Sequence, residues 1–74
     1  MTEIECILTE EYIELIKLLK YTGICETGGR AKQMVEDEMV YVNGALETRK
    51  RKKVRSGDTV ECAGLVIRVS GDKR

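Results

Sequence analysis

Histidine, proline, tryptophan and phenylalanine are all missing from this 74-residue sequence, and three tyrosines are its only aromatic residues. Without histidine, the commonest general acid and base is gone, and so is half of the usual zinc ligand chemistry. Serine is confined to Ser56 and Ser70, so no nucleophile with a partner base can be assembled. The cluster Glu36-Asp37-Glu38 falls where a helix should end, beside water, and reads as a solubilising patch rather than an acid–base pair. No Gly-Lys-Ser/Thr ending follows Gly28-Gly29, which excludes a phosphate loop of the nucleotide-hydrolase type. These absences argue against an enzyme, a cofactor or a small-molecule substrate. Tyr12, Tyr21 and Tyr41 are too few to stack a series of bases, and Tyr12 reads as core.

Long apolar runs are also lacking: nothing approaches the roughly 18 residues of a membrane span. The first ten residues hold Glu3, Glu5 and Glu10 without a positive stretch, so no secretory leader is expected and the cytoplasm is the expected compartment. The three cysteines, Cys6, Cys25 and Cys62, are odd in number and widely spaced. They cannot form a four-ligand zinc site by themselves, so no metal is expected. They read as reduced, buried and structurally ordinary, the alternative being an intermolecular bridge or a redox role.

What remains is a globular composition, 42% hydrophobic and 35% charged, long enough for one domain over residues 1–74. Net charge is zero, but residues 1–47 hold ten acidic and four basic side chains while residues 48–74 hold nine basic and three acidic. An anionic partner would therefore be met by one face only.

The apolar spacing of Tyr12, Leu15, Ile16 and Leu19 behind Thr9-Glu10-Glu11 predicts a helix over about 10–21, capped by Thr9 and stopped at Gly23. A second helix is predicted from Thr27 to about Asp37, with Ala31, Met34 and Val35 facing inward. The period then changes to two. Val40 and Val42 alternate with Met39 and Tyr41, Asn43-Gly44 supplies a tight turn, and Ser56-Gly57-Asp58 leads into a strand over Thr59–Ala63. Gly64 separates it from Leu65–Val69, and residues 71–74 read as a frayed tail. The fold class is α+β: two helices followed by a small, mostly antiparallel sheet.

Two features remain unexplained by folding alone. Arg49-Lys50-Arg51-Lys52-Lys53-Val54-Arg55 places six cations in seven residues. Such a run repels itself and calls for full solvation or a polyanion, and the same letters also suit a nuclear-import patch. The second helix opens with Gly28-Gly29, each about 1 kcal/mol worse than Ala in a helix, and then Arg30, a cation where the helix dipole prefers an anion. A phosphate near Gly28, Gly29, Arg30 and Lys32 explains all four, whereas a tight turn between helices explains only the glycines.

The segments Leu15 to Leu19 before Gly23, Thr27-Gly28-Gly29-Arg30-Ala31-Lys32, Val40-Tyr41-Val42-Asn43-Gly44, Glu47-Thr48-Arg49-Lys50-Arg51-Lys52-Lys53 and Ser56-Gly57-Asp58-Thr59-Val60 occur in this order. In this the chain resembles the RNA-binding domain named after small-subunit ribosomal protein four, in its small stand-alone bacterial form, with a core motif over about 12–60. The resemblance implies two helices on a short sheet, the αL RNA-binding motif, with phosphates met by the second helix's start and the basic loop. The implied contacts are Thr27, Gly28, Gly29, Arg30, Lys32, Asn43, Gly44, Arg49, Lys50, Arg51, Lys52, Lys53 and Arg55. The implied partner is structured RNA, ribosomal RNA or an assembly particle with its proteins. A protein adapter using the acidic half, or a DNA-binding accessory factor, are the rival readings. Two positions depart from the family pattern. Glu11-Tyr12-Ile13 replaces an Arg-Leu-Asp type opening of the first helix, and Glu38 replaces the usual glycine after the second, strained by about 1–2 kcal/mol if the chain is left-handed there.

Overall fold

The computed structural model describes residues 2–71. In chain order they form β1 (Thr2–Leu8), β2 (Ile13–Glu14), α1 (Leu15–Tyr21), α2 (Gly28–Glu36), β3 (Val40–Val42), β4 (Ala45–Leu46), β5 (Lys53–Val54), β6 (Thr59–Cys62) and β7 (Leu65–Gly71). A five-stranded sheet has the order β1-β7-β6-β3-β4, and β2 pairs with β5 in a separate ribbon. All pairings are antiparallel except β1 with β7, which runs parallel from Thr2 opposite Leu65 to Leu8 opposite Gly71. The mostly antiparallel α+β architecture is as expected. A strand before the helices was not, although Ile4, Cys6 and Leu8 alternate as an inward face should. Gly71, expected in a frayed tail, lies in β7; the remainder of that tail falls outside the described residues.

The core lies between the helices and one sheet face. Leu15, Leu18 and Leu19 of α1 and Ala31 and Val35 of α2 close over Val40, Val42, Val54, Val60, Ile67 and Val69, with the thiols of Cys6, Cys25 and Cys62 among them. Each fully buried Leu, Ile or Val contributes about 1.5–3 kcal/mol, so this cluster holds the two layers together.

The first helix is shorter than its periodicity predicts. Ile13 and Glu14 pair with Val54 and Lys53, and the helix begins only at Leu15. Thr9, Glu10 and Glu11 lie outside it, and the N-cap residue Glu14 makes no side-chain cap. Long-range partners replace the cap: the Leu15 amide donates to the Lys52 carbonyl at 2.9 Å and the Ile16 amide to the Lys50 carbonyl at 3.3 Å. Two of the four orphan donors of this helix end are thus satisfied by the basic loop itself. Tyr12, expected in the core, precedes the helix and is 37% exposed.

The second helix follows its local signals. Thr27 is extended, and its Oγ1 accepts from the Arg30 amide at 3.1 Å. At the other end the Glu38 amide donates to Val35 and the Met39 amide to Met34, the paired bonds of a Schellman motif, with Glu38 left-handed at φ 59°. The turn therefore keeps the shape that glycine would favour. Asn43 and Gly44, both at positive φ, close the β3–β4 hairpin, and Ala63 and Gly64 do the same between β6 and β7.

Candidate nucleic-acid interface

The basic run leaves the β3–β4 hairpin, crosses in front of α1 and returns through β5. Its shape is set by two carboxylates that the sequence reading passed over. Glu47 is buried, and its Oε2 accepts from the Arg49 amide at 2.9 Å and from Arg49 Nε at 3.0 Å. That hydrogen-bonded guanidinium holds the Glu47 carboxyl below its ordinary value, with Lys52 adding to the pull, while burial opposes it. Asp58 braces the far end. Its Oδ2 accepts from the Arg55 amide at 2.9 Å, and its Oδ1 from Asn43 Nδ2 at 3.1 Å. Burial works against ionisation of Asp58, but the Arg55 amide, the Asn43 amide and the charges of Lys52 and Arg55 hold its carboxyl low. Asn43 Oδ1 also accepts from the Thr59 amide at 2.9 Å, so the hairpin turn is tied to the base of the loop.

Held this way, Arg49, Arg51, Lys52, Lys53 and Arg55 line one concavity of about 480 Å³. Lys50 is turned aside to Glu36 at the end of α2. The Lys53 ammonium stands 4.9 Å from the centre of the Tyr12 ring, a cation–π contact that gives this partly exposed tyrosine a place beside the loop. Acids of the first half sit among the cations: Arg51 Nε is 3.3 Å from Glu14 and Arg55 Nη1 4.0 Å from Glu11. The polarity of the chain is thus partly neutralised by folding, and the acidic half forms no surface of its own at this site.

At the start of α2, Thr27 and Arg30 line a separate concavity with Ile24 and Glu26. A Cβ built on Gly28 meets nothing within 4 Å, and one on Gly29 meets only Thr27 Oγ1 at 4.0 Å. Neither glycine has a positive φ. Nothing in the folded chain requires glycine at either position, so the tight-turn explanation fails and their cost in helix stability is unexplained by the fold. Arg30 and Lys32 are exposed. The structure therefore yields two patches, five loop cations together and the bare α2 start apart from them, with Asn43-Gly44 as scaffold to the first.

The profile of the S4 domain matches residues 6–70, nearly the whole chain. The chain belongs to the S4 domain family. It is 45% identical over 58 residues to YbcJ of Escherichia coli, covering 78% of this chain and 83% of that protein. It is 34% identical over 55 residues to RlbA of Bacillus subtilis, named a probable ribosome maturation protein, covering 74% of this chain and 78% of the relative. The solution structure of E. coli YbcJ superposes with a TM-score of 0.68 at 38% identity, over 95% of this chain and 87% of that one, and is described as revealing an αL motif involved in RNA binding.

Within this S4 domain, Glu47 and Asp58 are the residues that a search for cations misses. The signal was local: Glu47 stands two residues before Arg49 and reaches forward to its amide, and Asp58 stands three after Arg55 and reaches back to its amide.

Proposed function

We propose that this S4 domain docks on structured RNA, without catalysis, through the cations of the 49–55 loop and the start of α2, and that its target is ribosomal RNA or a ribosome-assembly particle. The observation that carries this reading is the single concavity lined by Arg49, Arg51, Lys52, Lys53 and Arg55, whose backbone is anchored at both ends by Glu47 and Asp58. Cations pre-spaced on a fixed loop meet phosphates at a lower ordering cost than cations on a mobile one. The first-turn amides of Gly28 and Gly29, which no side chain crowds, would offer a second anion contact at the positive end of α2, with Arg30 and Lys32 next to it in the chain. Thr27 fixes that end, and Asn43-Gly44 positions the loop. The ribosomal assignment leans on the similarity to RlbA and the RNA reading on that to YbcJ. The chain acts here as one unit over 1–74, working in the cytoplasm; no helix among the described residues is long and apolar enough to cross a membrane.

The test is a fluorescence-anisotropy titration at fixed salt with a folded ribosomal RNA fragment beside poly-uridine. Preference for the folded RNA is expected, because Tyr12, Tyr21 and Tyr41 fall before β2, at the end of α1 and in β3, three rings on separate elements that offer no series of stacking faces. Equal or tighter binding of poly-uridine would overturn the structured-RNA reading. Competition with duplex DNA of the same length separates RNA from DNA recognition.

A further inference from the structure

The cysteines were expected to be ordinary core residues, and Cys6 on β1 fits that description. The other two do not stand alone. Cys25, in the turn between the helices, points its thiol at the thioether of Met34 on α2, with Sγ to Sδ 3.0 Å. Cys62, at the end of β6, brings its Sγ to 3.9 Å from the same Met34 sulfur. Three sulfurs from three separate segments therefore converge, two of them on residues only 2% exposed. The cluster is not sealed: Met34 lines a concavity of about 380 Å³ together with Ile24, Arg30, Met39 and Leu65, which gives a path from solvent to the thioether.

We propose that Cys25, Cys62 and Met34 form a three-coordinate site for a soft monovalent cation, with Cu(I) as the matching ion. Soft thiolate and thioether donors select Cu(I), whereas zinc takes four ligands. Among the described residues no group of three histidine, cysteine or acidic side chains exists to complete a zinc set. Metal–sulfur bonds of about 2.3 Å in a trigonal plane place the sulfurs about 4 Å apart. The Cys62–Met34 spacing already meets this, and the flexible Met34 side chain need open the Cys25 contact by only about 1 Å. Burial pushes both thiols up, Cys62 to about 11, so the metal-free site holds S–H groups. On binding, two S–H bonds break, two protons leave to solvent, two thiolate–metal bonds form and Met34 donates a lone pair. The bound site carries one net negative charge, and Arg30, whose charge favours the Cys25 thiolate, stands beside it.

The test is an anaerobic titration of the reduced full chain with Cu(I) in competition with a chromogenic Cu(I) chelator, with native mass spectrometry and circular dichroism alongside. The wild type should hold one ion against the chelator, seen as the added mass of a single copper. Cys25→Ser and Cys62→Ser should each weaken binding on the order of 100-fold, Met34→Leu about tenfold, and Cys6→Ser not at all. Failure of the wild type to retain the ion, or undiminished retention in folded Cys25→Ser or Cys62→Ser, overturns the proposal. If those two variants do not fold, Met34→Leu decides, since this volume-conserving swap keeps the core and removes only the sulfur. Undiminished affinity there overturns the site as well.

Discussion

Arg30 stands where stability and the proposed RNA contact make opposite demands. Thr27 already caps the Arg30 amide, and a glutamate at position 30 would complete the reciprocal capping box and place an anion at the positive helix end. Arg30→Glu should therefore stabilise the free protein by about 0.5–1 kcal/mol. If a phosphate sits at this helix end, the same change should weaken RNA binding at least tenfold, about 1.4 kcal/mol. Thermal unfolding and an RNA titration at one salt concentration check the pair; a lower Tm with unaltered affinity makes Arg30 structural. Glu47 is the opposite kind of residue, needed for shape. Its folded carboxyl titrates below the ordinary 4.5, so its contribution to stability is present above that value and lost as pH falls through the folded one. Glu47→Gln should lower Tm at pH 7 by roughly 5 °C, the loss of about one hydrogen bond. It should also flatten the fall of Tm as pH drops below the ordinary 4.5, and scanning calorimetry over a descending pH series reads both effects.

At the scale of elements, the two ends of α2 show different kinds of unfavourable local choice. Gly28 and Gly29 weaken its start where nothing in the fold asks for glycine. Glu38 weakens its end where the backbone does ask for it, being left-handed at φ 59°. Only for the first does the proposed phosphate contact supply a reason. Glu38→Gly should therefore stabilise the protein by about 1 kcal/mol and leave RNA affinity unchanged, as chemical denaturation and a titration would show. The basic loop has its own division. Arg49 holds Glu47 and Lys50 faces Glu36, while Arg51, Lys53 and Arg55 are exposed along the concavity. With about four loop cations neutralising phosphates, the log–log salt slope of binding should be about −3 to −4. Replacing Arg51, Lys53 and Arg55 together by Ala should flatten it by roughly two to three units, at little cost to stability because all three side chains are exposed. A slope that stays the same in the triple variant returns the loop to mere solvation.

Across the whole molecule, local signals and long-range contacts divided the outcome. Thr27, Asn43-Gly44 and the alternating valines marked a helix start, a hairpin and strands that the fold contains. These depend on neighbours within about four residues, which the sequence displays directly. The ordered segments also identified the family, because turn and cap residues recur wherever the backbone shape recurs. Five things were decided only by tertiary structure. The start of α1 at Leu15 depends on carbonyls of Lys50 and Lys52, more than thirty residues away in the chain. The parallel seat of β1 depends on β7 at the opposite end, and Tyr12 became a platform for Lys53 because β2 pairs with β5. The gathering of five cations into one concavity, and of Cys25, Met34 and Cys62 into one cluster, likewise joins residues through space. Patterning within a helical turn or a strand pair can report what each residue prefers; only chain closure decides which preferences meet.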